Sequence, residues 1–526
     1  MATSSSHQGA SRTWSLDDLS SELLALILQH LRDVDLLALL AVRLVSRRFE
    51  ALAKPIFYHV LTLNDKIVDP DADIDYPNLL DNVARHTNHV VARSDLDPRG
   101  IARVLANVRR LQSVRWCYVD AELRSGRYWL PADLLDPQHP RFRNTVLHVE
   151  GLPLRDYEEP AQDAYVRAIP TELLVSLKLA SPAPPLTTKL NSLKQLLLRS
   201  QRLETFHYEG RGQGTNFRFS HGDRMPAFKN LTLKSYDWNH TREEVARHWD
   251  LSKLESLQLD SVPIFNFLAS INLANLWELK HLHCEDFSAH LLTDRRQEAT
   301  RGLHMLIKQY IKSLHTLSIS CHTALFPLDA ILGHAHSLEV LRFRDHVGFG
   351  EEDRRCPTLW PADLATLGRN LPNVHTLELD MDIALCDPPE FLRAVCTFQR
   401  LHTLTLHVQT VLHPLEVVHP GVDRDQDAAM RMLAFLRACK NEMAAWAPPG
   451  PEPWRRIVIN VGGWRRVMVR RYSTAWRQQN ENGVFAERCF VLERGPLAGG
   501  QLVFSEERPI ETRSSTPTPE RMLSSA

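Results

Sequence analysis

The chain lacks most of the features by which a sequence announces a chemistry. Its eight cysteines, Cys117, Cys284, Cys321, Cys356, Cys386, Cys396, Cys439 and Cys489, are dispersed, with no C-x-x-C pair and no histidines at zinc-finger spacing. That pattern excludes a disulfide framework and a structural zinc module, and it points to reduced core thiols in a cytosolic or nuclear setting. Long apolar runs are also missing. The longest, Leu36 to Val42, falls far short of the ~20 residues of a membrane span. The first thirteen residues are small and polar, without the apolar centre of a signal peptide. The expectation is a soluble protein of the cytoplasm, the nucleus or both, with no membrane partner. A formal net charge of -1 across 526 residues offers no global attraction to nucleic acid, so none is expected as a partner. There is no G-x-S-x-G, no P-loop and no familiar catalytic-cysteine context. Gly462-Gly463 stands alone, and Asp380 with Asp382 is an acid pair at a loop edge. No catalytic residue, cofactor or metal is therefore expected, and catalysis would have to come from a partner.

Leucine is what the chain has in excess. Between Trp14 and Leu63 runs WSLDDLSSELLALILQHLRDVDLLALLAVRLVSRRFEALAKPIFYHVLTL. Ser20 and Ser21 are helix-capping residues, and Glu22 supplies an acid to the first turn, so a helix is predicted over Glu22 to Leu31. At about 100° per residue its apolar side chains, Leu23, Leu24, Leu26, Ile27, Leu28 and Leu31, cover an arc of about 200°, twice the stripe of roughly 100° that one core needs. A second helix is predicted from Asp35 to Leu44, and a third from Ser46 through Phe49 to Ala53, stopped by Pro55. So short a segment cannot bury all this surface internally, and each leucine left wet forgoes about 1.5 to 3 kcal/mol. A partner protein is implied.

At these residues the segment resembles the F-box, the motif of SCF-type ubiquitin ligases that binds a Skp-type adaptor. The matching stretches are Leu19-x-x-Glu22-Leu23-Leu24-x-x-Ile27-Leu28-x-x-Leu31, Asp35-Leu36-Leu37, and Arg43-Leu44-Val45-Ser46-Arg47-Arg48-Phe49-x-x-Leu52-Ala53-x-Pro55 with the exit Phe57-Tyr58. Two departures stand out: Ser20 replaces the usual proline, and the run from Asp35 to Arg43 is about three residues longer than the commoner form, nearly one helical turn. The resemblance implies that Leu19, Leu23, Leu24, Ile27, Leu28, Leu31, Leu36, Leu37, Val45 and Phe49 bind the adaptor, and through it a cullin-RING ligase.

Farther along, a six-residue pattern, apolar at its first, fourth and sixth places, keeps returning. Clear copies begin at Leu203, Phe228, Leu254, Leu279, Leu314, Leu338, Val374 and Leu401, at intervals of 25, 26, 25, 35, 24, 36 and 27 residues. Five of these intervals fit a leucine-rich-repeat period of about 20 to 29, and the two long ones suggest an inserted loop. Fainter copies begin at Leu111, Asn144 and Leu174, and Trp454 opens a candidate last strand. Helical patterns precede several copies, at Leu303 to Ile311, Leu328 to His334, Leu364 to Asn370 and Phe391 to Phe398. This resembles the leucine-rich-repeat family, although the usual asparagine is missing from all eight clear copies, which implies an irregular arc. The expected fold class is α/β: a three-helix F-box-like segment followed by an irregular solenoid with a parallel sheet on its concave side and helices on its convex side.

The expected organisation is a disordered N-terminus over 1–13, the helical segment over 14–63, a loop-rich junction over 64–100, the solenoid with inserted loops over 101–475, capping strands over 476–505 and a disordered tail over 506–526. Because strand side chains alternate, the third, fifth and seventh places of each copy should face the concave surface. The candidate target-binding residues there are His207, Lys234, Asp260, His281, His283, Glu285, Arg342, Arg344, Glu378 and Asp380. The run HLHCEDFSAH from His281 looks like a metal cluster, yet Cys284 falls on the core side and His281 and His283 on the other, which argues against a shared metal. Together the resemblances imply a non-catalytic substrate adaptor of an SCF-type E3 ubiquitin ligase whose arc holds an unidentified protein for ubiquitination. The alternative is a leucine-rich-repeat scaffold or inhibitor that acts without a cullin ligase.

Overall fold

The structure, a computed structural model, describes residues 16–119, 130–153, 164–180, 190–212, 215–286, 293–345, 359–382, 386–408, 411, 423–446, 451–461, 488–495 and 502–507. The chain divides into two compact units, residues 1–180 with 199–202, and residues 181–198 with 203–526. Both are α/β, and among the described residues no helix is long and apolar enough to cross a membrane.

The first unit opens with three helices: α1 (Ser21–Val34), α2 (Leu36–Val42) and α3 (Arg47–Tyr58). Each start is set by a side-chain cap. The oxygens of Ser20, Asp35 and Ser46 accept the backbone N–H groups of Leu23, Ala38 and Phe49 at 3.4, 3.0 and 3.2 Å. Serine thus does the work that a proline in the first turn would otherwise do. Pro55 does not stop α3, as its sequence suggests; the helix runs on to Tyr58. A proline this near the C-terminal end forfeits little of the backbone ladder, and burial of Ile56 and Tyr58 holds the last turn in place.

Five parallel strands follow: β1 (Val60–Thr62), β2 (His89–Arg93), β3 (Ser113–Cys117), β4 (Val146–Leu152) and β5 (Leu174–Leu179), each paired with the next. The last three are the faint repeat copies. Residues 64–100, expected as a loop-rich junction, instead hold β2 and helices at Asp65–Val68, Ala72–Asp75 and Pro77–His86, and a further helix, Pro98–Asn107, starts within the stretch. Asp97-Pro98 is the reason for the last of these. Pro98 sits in the first turn and Asp97 accepts the Gly100 N–H at 2.8 Å, so a dipeptide that punctuates loops here starts a helix. Gly100 lets that helix lie on Val68, since a Cβ would fall 1.9 Å from the Val68 carbonyl oxygen.

The second unit repeats one geometry. Its strands β6 (Thr205–Gly212), β7 (Asn230–Tyr236), β8 (Ser256–Val262), β9 (His281–Asp286), β10 (Thr316–Cys321), β11 (Val340–Asp345), β12 (Thr376–Met381) and β13 (Thr403–Val408) all begin at the third place of a clear copy. They run parallel and in phase: Phe206, Leu231, Leu257, Leu282, Leu317, Leu341, Leu377 and Leu404 lie side by side across the ladder. The first-place residues and these fourth-place residues are all buried, which is why the sixfold pattern fixes the register. Helices Pro361–Asn370 and Pro388–Val395 precede β12 and β13 as the periodicity predicts. The helix before β10 is longer than predicted, Thr293–Met305 continued by a wider turn at Leu306–Tyr310, and the one before β11 is a single turn, Asp329–Leu332. The arrangement is solenoid-like.

Beyond β13 come a helix at Arg424–Trp446, then β14 (Arg456–Val461), which joins in parallel, and β15 (Arg488–Arg494) and β16 (Leu502–Glu507), which turn antiparallel. The two closing strands fall in the stretch 476–505 expected to hold capping strands, with β16 running two residues beyond it. Of the expected disordered ends, 1–13 and 508–526 lie outside the described residues, and Glu506 and Glu507 of the expected tail belong instead to β16.

One buried cation marks this end. Lys440, on the helix Arg424–Trp446, is only 3% exposed. Its ammonium donates to the carbonyls of Leu401 and Glu452 and lies 3.9 Å from the Trp454 ring centroid. Burial lowers its pKa from 10.5 to about 8. Between about pH 8 and 10.5 the unfolded chain therefore holds a proton that the folded chain has released, so stability rises with pH across that window. Urea midpoints measured through this range should climb for the natural chain and stay flatter for Lys440→Met. Equal slopes would remove Lys440 as the cause.

Candidate functional site

The three helices separate their apolar residues into two sets. Leu24, Leu28, Leu39, Phe49, Ala53 and Ile56 form a closed core, with Leu19, Leu31, Val42 and Leu52 packed half-buried against it. The other set faces outward: Leu23 is 51% exposed, Ile27 45%, Leu36 49%, Leu37 76%, Val45 69% and Leu44 89%. Of the ten residues predicted to bind an adaptor, then, Leu24, Leu28 and Phe49 belong to the core and present no face, and Leu19 and Leu31 contribute only in part. Leu23, Ile27, Leu36, Leu37 and Val45 stand free of the core. Leu26, Val34 and Leu44 join them as exposed apolar side chains absent from the prediction; the surplus arc of α1 was the available signal for Leu26.

The α2–α3 turn is built to hold its apolar residues outward. The Leu44 and Val45 N–H groups bond back to the carbonyls of Ala41 and Val42 at 3.0 and 3.1 Å. Beneath them the Arg43 guanidinium donates twice to Glu50, at 2.9 and 3.1 Å, and lies 5.0 Å from the Phe57 ring centroid. This two-point bond raises the Arg43 pKa and lowers that of Glu50. Arg48 donates to the Leu19 carbonyl at 2.6 Å, tying α3 to the start of α1. The exposed leucines therefore sit on a braced scaffold. They are apolar surface left over after the three-helix core has closed.

In the second unit the third, fifth and seventh places do turn away from the core, but the charges there are largely spent on one another. Arg342 pairs with Glu378 at 3.4 Å, and Glu378 accepts from or faces His407 Nε2 at 2.8 Å. Arg344 donates to Asp380 at 3.1 and 2.9 Å, and Asp380 also accepts the Asp345 N–H at 2.8 Å. Arg342 and Arg344 on β11 and Glu378 and Asp380 on β12, all expected to face a target, neutralise each other across the ladder. Asp380 is a correction: it is buried, as are Ser318 and His407, so none of the three offers a contact surface. Burial raises the Glu378 pKa, but His407, Arg344 and Arg342 outweigh it and leave the carboxyl below its ordinary value.

A second group lies on β7 to β9. Asp260 is 2.8 Å from His283 Nε2 and 3.7 Å from Lys234 Nζ, and it accepts from Gln258 Nε2 at 2.8 Å. Burial acts to raise its pKa, and His283, Gln258 and Lys234 together hold it lowered. Glu285 stands opposite Asp260 in the register. His281 meets Thr316 at 3.0 Å on the neighbouring strand, and burial lowers its pKa. Cys284 is buried on the core side, as its place in the repeat requires. His207 has Glu209 3.9 Å away. The structure thus brings Lys234, Asp260, His283 and Glu285 together, and Arg342, Arg344, Glu378 and Asp380 into a second cluster.

No protein-family model matches the chain, and no curated protein matches it.

Proposed function

We propose that the chain is a non-catalytic substrate adaptor of an SCF-type E3 ubiquitin ligase, in which the N-terminal helices bind a Skp-type adaptor and the sheet face of the second unit takes a protein target. One observation carries this reading. The outward apolar set of α1, α2 and the α2–α3 turn is left over after a separate core has closed, and it falls on the residues that resemble the F-box. Five of the ten residues that the resemblance assigns to adaptor binding, Leu23, Ile27, Leu36, Leu37 and Val45, are in that set. Burying each against a partner contributes about 1.5 to 3 kcal/mol before the cost of association.

The mechanism is proximity. Holding a target beside a charged conjugating enzyme turns a bimolecular encounter into a local one, so the chain needs no catalytic group of its own. Target choice falls to what the paired charges leave accessible on the sheet: Lys234, His281, His283 and Arg342, with the third-place threonines and serines between them. A face whose charges are already paired selects by shape and hydrogen bonding more than by net charge. The reading is tested by affinity capture of the full chain from cells, which should bring down both a Skp-type adaptor and a cullin. Adaptor without cullin would favour a scaffold, and neither would end the proposal.

A further inference from the structure

Asp260, His283 and Glu285 place one imidazole nitrogen and two carboxylates within 4.8 Å of one another on adjacent strands. We propose that they form a binding site for one divalent transition-metal ion of the zinc or cobalt type. The inference is independent of the ligase reading.

The backbone sets the site up. In the β8–β9 register Gln258 lies opposite His283 and Asp260 opposite Glu285, so fifth- and seventh-place side chains rise from one face of a rigid parallel pair. The shared-metal set that sequence order suggests, around Cys284, is split between the two faces of β9. The set that geometry assembles takes its third member from β8 instead.

The contact between Asp260 and His283 is the second observation. Asp260 Oδ1 is shut off from solvent and accepts no well-directed hydrogen bond, although His283 Nε2 is only 2.8 Å away. With no ion bound, a proton on His283 serves this pair, and a bound metal ion would take that proton's place. The side chains remain 19% and 29% exposed, which leaves an entry path. Gln258 Nε2, bonded to the other oxygen at 2.8 Å, orients the carboxylate as outer groups do around a metal. Ligands on a tetrahedral ion at about 2.0 to 2.2 Å lie roughly 3.4 Å apart, so the set, within 4.8 Å as it stands, has to draw in only slightly on binding. One nitrogen with two oxygens favours zinc, cobalt or nickel over magnesium or calcium, which take oxygen alone. Three protein ligands leave a fourth position open. Lys234 Nζ, 3.7 Å from Asp260, is the competing cation.

Cobalt(II) added to the untagged full chain should produce a saturable visible absorption at one equivalent, displaced by zinc. His283→Asn and Glu285→Gln should each weaken cobalt binding at least tenfold, while His281→Asn, two residues along β9 from His283, should retain it. Lys234→Met removes the competing charge and should tighten binding several-fold, a gain that misfolding cannot imitate. The proposal is overturned if no saturable band forms, if His283→Asn and Glu285→Gln bind as the natural chain does, or if Lys234→Met binds no more tightly.

Discussion

Replacing Leu23, Ile27 and Leu37 together by aspartate should reduce affinity for a purified Skp-type adaptor by at least ~100-fold, while helix content and thermal midpoint stay close to those of the natural chain. The magnitude follows from area: three half-exposed or more exposed apolar side chains, each contributing about 1.5 to 3 kcal/mol on burial, exceed a hundredfold even when their effects fall short of additive. The insensitivity of the fold follows from the same exposures, because carboxylates at these positions point into water. Leu24→Asp is the informative contrast. Leu24 is 1% exposed at the centre of the three-helix core, and an unpaired carboxylate there unfolds the bundle. Isothermal titration alongside circular dichroism separates the two. If the triple variant loses helix content as Leu24→Asp does, the division into core and face is wrong. If it keeps both fold and affinity, the face is not the binding surface.

The second large effect concerns stability. Asp380→Ala should cost about 3 to 5 kcal/mol of unfolding free energy, the range for breaking a buried ion pair from one side. The carboxylate accepts two bonds from Arg344 and one from the Asp345 backbone, and Arg344 is itself only 17% exposed at its side chain. Asp345 extends the chain of bonds, accepting the N–H of Thr323 at 2.9 Å. Removing Asp380 therefore strips a guanidinium and an amide of a partner where water enters poorly. Arg342→Ala is the matched control on the same strand. Its pair with Glu378 is longer and its side chain half exposed, so its loss costs at most about 1 kcal/mol. Urea unfolding of the full chain reads both. A cost for Asp380→Ala no larger than for Arg342→Ala would contradict the account of the sheet face as internally paired.

What was legible in the sequence was periodic. Leucines at the first, fourth and sixth places of each copy placed eight strands and their register, because burial on one side of a strand leaves the period of two no freedom. The closing strands from Arg488 were legible for another reason, the glycine-rich turn between two apolar runs. Two kinds of information were not. The first is which of two apolar arcs on α1 meets its own bundle: Leu23 and Leu24 are chemically identical neighbours, and only the packing of Leu39 and Phe49 decides that Leu24 turns inward. The second is pairing between rungs. Arg344 and Asp380 stand 36 residues apart, so they read as opposite features until the ladder sets them side by side. Asp260 and His283 were likewise assigned to separate rungs of the face, and their convergence with Glu285 needs the β8–β9 register. Loop punctuation also misled at Asp97-Pro98, where the aspartate caps and the proline begins a helix.

The account rests on the outward leucines joining this chain to a ligase. The most direct test is paired affinity capture from cells of the full chain and of its Leu23→Asp, Ile27→Asp, Leu37→Asp variant, with adaptor and cullin quantified by mass spectrometry. The account predicts both proteins with the natural chain and neither with the variant. Their absence from the first, or equal amounts in both, would contradict it.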